Sequence, residues 1–217
     1  MPGYLVGLFD VLGFEQTLAR IGLAELRLRY GALIDAVNWR RPQSAGSDLG
    51  THGAYASDSI LLWADRMLPC DDFLDACNDL ICHGLEVGLP LRGAVSMGEA
   101  VLEGHRNIFL GRPLVDAARL EGGQKFIGAG VCKSFVEQAI PERFLLRFEQ
   151  HLKDSNTEQW GGFVLDWPRH WQRTRSTDVE HVIRTMNIDT AHSRYYENTL
   201  DLVAHSKSQP GIRAVWP

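Results

Sequence analysis

A chain of 217 residues, 45% hydrophobic and 23% charged, has an ordinary globular composition and the length of one good-sized domain or a compact domain with an extension. Its formal charge of −5 argues against nucleic acid as the main partner, because a phosphate backbone needs a basic surface. A small polyphosphate stays open as a ligand, since metal cations can supply positive charge locally.

No run reaches the roughly 18 consecutive apolar residues of a membrane-spanning helix. The opening MPGYLVGLFD is apolar but short, lacks a basic leader and meets an acid at once, which predicts a first buried strand and no signal peptide. Cys70, Cys77, Cys82 and Cys132 form no CxxC pair and show no zinc spacing. They read as free thiols, with Cys77 and Cys82 buried in an apolar helix, and a reducing cytoplasm fits.

In chain order, GYLVGLF at 3–9 predicts a fully buried strand ending at Asp10. Residues 15–37 predict a helix, with Leu18, Ile21, Leu26, Leu33, Ile34 and Val37 at mostly helical spacing. PQSAGSDLGTHG, rich in Gly, Ser and Pro, predicts a loop or link. AYASDSILLWA predicts a strand pair turning near Ser57-Asp58-Ser59. Residues 71–88 predict a second helix burying Phe73, Leu74, Cys77, Leu80, Ile81 and Leu85.

LRGAVSM at 91–97 predicts another strand, and GEAVLEGHRNIFLG a loop or hairpin. Pro113 opens a helix that Gly122-Gly123 closes. FIGAGVCKSF predicts a strand leading into a short helix. The order is the βαββαβ ferredoxin-like pattern, an α+β fold with helices packed on one face of an antiparallel sheet. The composition changes near residue 140, so 1–138 is read as the main domain and 139–217 as an extension packed on the same core. There FLLRFEQHL and GGFVLDW predict strands, and 176–204 a helical region.

Four segments carry candidate chemistry. In GLFDVLGF, Asp10 follows a buried strand directly, so its carboxylate lies at the sheet edge beside the turn Leu12-Gly13-Phe14 and a helix N-terminus. That setting suits a metal-bound phosphate, and an ordinary helix cap is the alternative. In YASDSILLW, Asp58 lies at a hairpin tip, where an Asx-turn is the plain reading. The first and third strands of such a sheet are central neighbours, so the two aspartates can meet at one edge. Two converging carboxylates repel, and a divalent cation between them removes the difficulty.

In LRGAVSMGEAV, Arg92 begins a central strand and is either a salt-bridging residue or aimed at a base carbonyl or phosphate. In IFLGRPLVDAARLEGG, Arg119 is either solvated, paired with Glu121 or Asp116, or placed to stabilise charge on a transferring phosphoryl group. Tyr55 is either an edge-strand aromatic or a base contact. His170, His181 and His192 are scattered and read as solvated or core side chains.

The ordered set GLFDVLGF, SDSILLW, RGAVSMGEAV and FLGRPLVDAARLE, over about residues 3–135, resembles the class III nucleotidyl cyclases. The chain departs from their purine-specific members at Ala54, Tyr55, Ile108 and Val115. With YASDS, LRGAV, GGFVLDWPRHW and RYYENTL, it instead resembles the pyrimidine cyclases of Pycsar antiphage defence, over nearly the whole chain.

That resemblance implies conversion of UTP, or less often CTP, to the 3′,5′-cyclic monophosphate and pyrophosphate. It implies Asp10, Asp58 and the Val11 carbonyl as ligands of two Mg²⁺ or Mn²⁺ ions, and Arg119 as the transition-state arginine. Phe9, Leu12, Gly13 and Phe14 would lie along the substrate, with amides of 12–14 on the outer phosphates, and Tyr55 and Arg92 would read the base. It further implies a cytoplasmic head-to-tail homodimer with composite sites, and a separate cyclic-nucleotide-gated effector that reads the product. A catalytically silent nucleotide sensor is a second expectation, and a palm-type polymerase or diguanylate-cyclase relative a third, against which the absence of a GGDEF-like hairpin counts.

Overall fold

The computed structural model describes residues 3–38, 50–67, 69–136, 141–152, 160–186 and 190–209. Most of the Gly, Ser and Pro-rich link expected after the first helix lies outside them.

Strand β1 (Gly3–Val11) is central and buried on both faces, which explains its unbroken apolar run. Leu5, Phe9 and Val11 enter the main core, whereas Val6 packs with Leu61 and Trp63 on the opposite face. Helix α1 (Phe14–Asn38) follows, interrupted at Gly22, whose φ of 77° is outside helical geometry. The kink accounts for the slip in periodicity between Ile21 and Leu26. Strands β2 (His52–Ala56) and β3 (Ser59–Asp65) form a hairpin, with Ser57 left-handed at its turn. Helix α2 (Cys70–Glu86) then buries all six residues of its expected apolar face.

Strand β4 (Leu91–Glu103) runs longer than expected and folds back on β5 (Ile108–Gly111). Next come α3 (Arg112–Gly123), β6 (Gly128–Cys132) and the short α4 (Lys133–Val136). Strands β7 (Leu145–Arg147) and β8 (Trp160–Leu165) extend the same sheet, whose order is β2-β3-β1-β4-β6-β8-β7 with β5 attached to β4. The pairing is antiparallel except between β4 and β6, which run parallel. The result is one mostly antiparallel sheet with helices packed on it.

Helices cover both faces, which corrects the one-face expectation. Side chains alternate along a strand, so residues of opposite parity on β4 face opposite ways. A Cβ at Gly93 would meet the Phe9 ring on the α2 side, while Arg92 pairs with Glu121 of α3 and Gly98 approaches Pro113 of α3. The Gly93 site is so close that a methyl group would collide with both the Phe9 ring and the Leu8 carbonyl. Gly93→Ala is expected to lower unfolding free energy by about 3 kcal/mol, read as a lower urea midpoint at unchanged m-value.

The C-terminal segments correct two further expectations. The strand in GGFVLDW stops at Leu165, where Asp166 accepts the Arg169 backbone N–H and opens α5 (Trp167–Thr174), a helix that periodicity did not indicate. The helical region expected over 176–204 divides into α6 (Val179–Thr185) and α7 (Ser193–Ser208), preceded by a 3₁₀ turn. Trp167 and Trp171 are fully buried in the core that β1 and α2 share. Buried His170 of α5 meets Asp79 of α2 at 2.6 Å, and Arg175 reaches the same carboxylate at 3.2 Å.

Candidate functional site

The site sits where β1 ends between its two neighbours. Register places Asp10 opposite Ser59 of β3 on one side and opposite Arg92 of β4 on the other. The Val11 N–H donates to the Asp58 carbonyl at 3.0 Å, which ties the hairpin tip to the end of β1. Asp10 and Asp58 are thus brought together, both lining one cavity at the end of β1. Burial and the Asp58 carboxylate push the Asp10 carboxyl above its ordinary value, against the opposing pull of Arg92. Asp10 belongs to the strand and caps no helix.

The turn after β1 is fixed by a 2.8 Å bond from the Leu12 N–H to the Pro90 carbonyl. Gly13 follows at φ 69°, a left-handed conformation that favours glycine, and α1 begins at Phe14. The first intrahelical bond joins Thr17 N–H to the Gly13 carbonyl, so the N–H groups of Phe14, Glu15 and Gln16 have no intrahelical acceptor. Leu12 also lines the site's cavity, with its side chain largely buried and its amide bonded to the Pro90 carbonyl. The Phe9 ring is fully buried in the core and does not line this cavity.

A cavity of about 340 Å³ collects Asp10, Val11, Gly13, Phe14, Asp58 and Arg92. Arg92 contacts Asp10 at 3.3 Å and Glu121 of α3 at 2.6 Å. Two further lining residues, His192 and Tyr195, come from the C-terminal region, to which the sequence reading assigned no chemistry. The Tyr195 hydroxyl accepts from Arg92 at 3.4 Å, and the ring centre lies 5.9 Å from the guanidinium carbon. The RYYENTL motif was the signal available for Tyr195.

Two further expected residues stay apart from this cavity. Tyr55 packs against the main core on the edge strand β2, its ring over Gly53. The nearby Tyr30 hydroxyl is pushed up to about 12 by burial and by Tyr55 and Asp58. Arg119 is exposed on α3, while Asp116 pairs with Arg112 and Glu121 with Arg92. Two residues along an α-helix subtend about 200°, so Arg119 projects from the side of α3 opposite Glu121. His170 and His192 are likewise separated, the former against α2 and the latter in the cavity.

A larger cleft of about 990 Å³ adjoins the site and shares Leu12, Gly13, Gln16 and His192 with it. It lacks the carboxylate pair, which places the candidate chemistry in the smaller cavity. Among the described residues, no three His, Cys, Asp or Glu side chains gather into a self-sufficient metal centre. Two carboxylates and a backbone carbonyl at a polar edge are nonetheless the hard oxygen donors that Mg²⁺ and Mn²⁺ take, with substrate phosphates and water filling the remaining positions.

Among the described residues, no helix is long and apolar enough to cross a membrane. No protein-family model matches the chain, and no curated protein searched matches it in sequence.

Proposed function

We propose that this protein is a nucleotidyl cyclase of the class III type that converts UTP to 3′,5′-cyclic UMP and pyrophosphate. The single observation that carries the reading is the convergence of Asp10 and Asp58 on one cavity beside the Gly13 turn. Two carboxylates crowded at a partly buried edge, with one held above its ordinary pKa, are costly unless a cation joins them. The strand order β2-β3-β1-β4 supports a ferredoxin-like cyclase core, because it lays the ends of β1 and the β2–β3 turn side by side.

In this reading Asp10, Asp58 and the Val11 carbonyl hold two Mn²⁺ or Mg²⁺ ions. The bound ions would lower the pKa of the ribose 3′-hydroxyl and neutralise the triphosphate. Gly13 and the free N–H groups opening α1 orient the outer phosphates. The 3′-oxygen forms its bond to the α-phosphorus as the bond to pyrophosphate breaks, and the guanidinium of Arg119 stabilises the charge that develops. Because Arg119 projects away from Asp10 within one chain, the reading requires a second copy to supply it, in a head-to-tail homodimer. Tyr55 and Arg92 are the residues proposed to read the pyrimidine, with CTP as the other substrate of the same class. The product would serve antiphage signalling through a separate cyclic-nucleotide-gated effector.

The test is incubation of the full chain with ATP, GTP, CTP and UTP, each with Mn²⁺, followed by product separation. The expected outcome is cyclic UMP and pyrophosphate from UTP, absent in Asp10→Asn. Nucleotide binding without turnover would favour the silent sensor, and linear or dinucleotide products a polymerase-like relative.

A further inference from the structure

Arg92 is held from three elements at once: Asp10 of β1, Glu121 of α3 and Tyr195 of α7. The three contacts differ in closeness. Glu121 lies at 2.6 Å from Nε, whereas Asp10 lies at 3.3 Å from an outer nitrogen. Glu121 is also the more shielded carboxylate, its side chain 14% exposed against 26% for Asp10. The guanidinium thus makes its shortest ion-pair contact with α3, while its hydrogen bonds go to Asp10 and Tyr195.

From this arrangement we infer that Arg92 is an internal counter-ion, which a divalent cation displaces from Asp10 and which Glu121 and Tyr195 then retain. The inference rests on the metal-binding reading above and deepens it. Attraction to Asp10 scales with charge, so a divalent ion shared by Asp10 and Asp58 outcompetes one loosely placed guanidinium. Displacement leaves Arg92 neither unpaired nor buried bare, because its contact with Glu121 remains and the Tyr195 ring offers a cation–π face. The outer nitrogen freed from Asp10 lines the same cavity, where an incoming nucleotide can take it up. Metal binding and the availability of Arg92 to substrate are thereby coupled, and Glu121 acts as a positioning residue for that exchange.

Mn²⁺ binding to the full chain without nucleotide, followed by titration calorimetry, tests this independently of activity. Arg92→Gln removes the competitor and is expected to bind Mn²⁺ about tenfold more tightly. Glu121→Gln removes the competing anchor, leaves Arg92 wholly on Asp10, and is expected to weaken binding about fivefold. The double variant decides between exchange and simple summed charge. If Glu121 acts through Arg92, its substitution has little further effect in the Arg92→Gln background, so the two changes are strongly non-additive. Additive effects would overturn the inference while leaving the metal site standing. A wild-type protein that binds no Mn²⁺ would overturn both. Should Arg92→Gln fail to fold, Arg92→Met serves, since it also removes the competing cation while keeping an apolar stem, and a tighter Mn²⁺ affinity is again expected.

Discussion

Asp58→Asn and Arg119→Ala, each inactive alone, are expected to recover about a quarter of wild-type cyclase activity when co-expressed, because half of the dimers then carry one intact site of two. In the proposed mechanism each single substitution removes a group that acts on the reacting phosphates, and each is expected to cost about a thousandfold in turnover. The expectation follows from where the side chains point. Asp10 and Asp58 meet at the end of β1, whereas Arg119 is exposed on α3 and turned away from the Glu121 contact that faces β4. Neither change disturbs a packed residue, so both variants should melt like the wild type. Well-folded variants that show no recovery would reject the composite site.

Asp79→Ala is expected to cost about 4 kcal/mol of stability, among the largest effects of any single change in this chain. Asp79 is buried and faces His170 and Arg175 together, so its removal leaves two basic groups of the α2–α5 junction without their shared acceptor. The same cluster makes stability pH-dependent. Burial alone would lower the His170 pKa, but hydrogen bonds to Asp75 and Asp79 outweigh it and hold the imidazole above its ordinary 6.5. A raised folded-state pKa means stability that is fully present below pH 6.5 and lost as pH rises through the folded value. Urea unfolding at several pH values should show that decline in the wild type and a flatter profile in Asp79→Ala. An unchanged slope would assign the pH dependence to another group.

Much of the central sheet was legible because both-face burial writes itself as continuous apolar sequence, as in GYLVGLF and SILLW. The Asp10–Asp58 pair was legible for a related reason: each acid stands where an apolar strand begins or ends. Helix α5 was not, because its buried stripe of Trp167, His170 and Trp171 spans only eight residues directly after a strand, although Asp166 and Pro168 are start signals. His192 was not, because contacts across more than 100 residues leave no local trace, and for Tyr195 only the RYYENTL motif hinted at a role. The pairing of Glu121 with Arg92 in place of Arg119 was a matter of helix phase. Buried Asp116, Ala117 and Leu120 mark the inward side of α3, and that side carries Glu121.

The outward projection of Arg119 has a consequence for when such an enzyme would act. Under the proposed composite site, a chain with Asp10 and Asp58 inward and Arg119 outward would be inert by itself, and dilution alone would silence it. Below the dissociation constant of the dimer, output rises with the square of abundance, so modest changes in expression become large changes in messenger. Abundance then acts as a threshold, set by how tightly two copies associate.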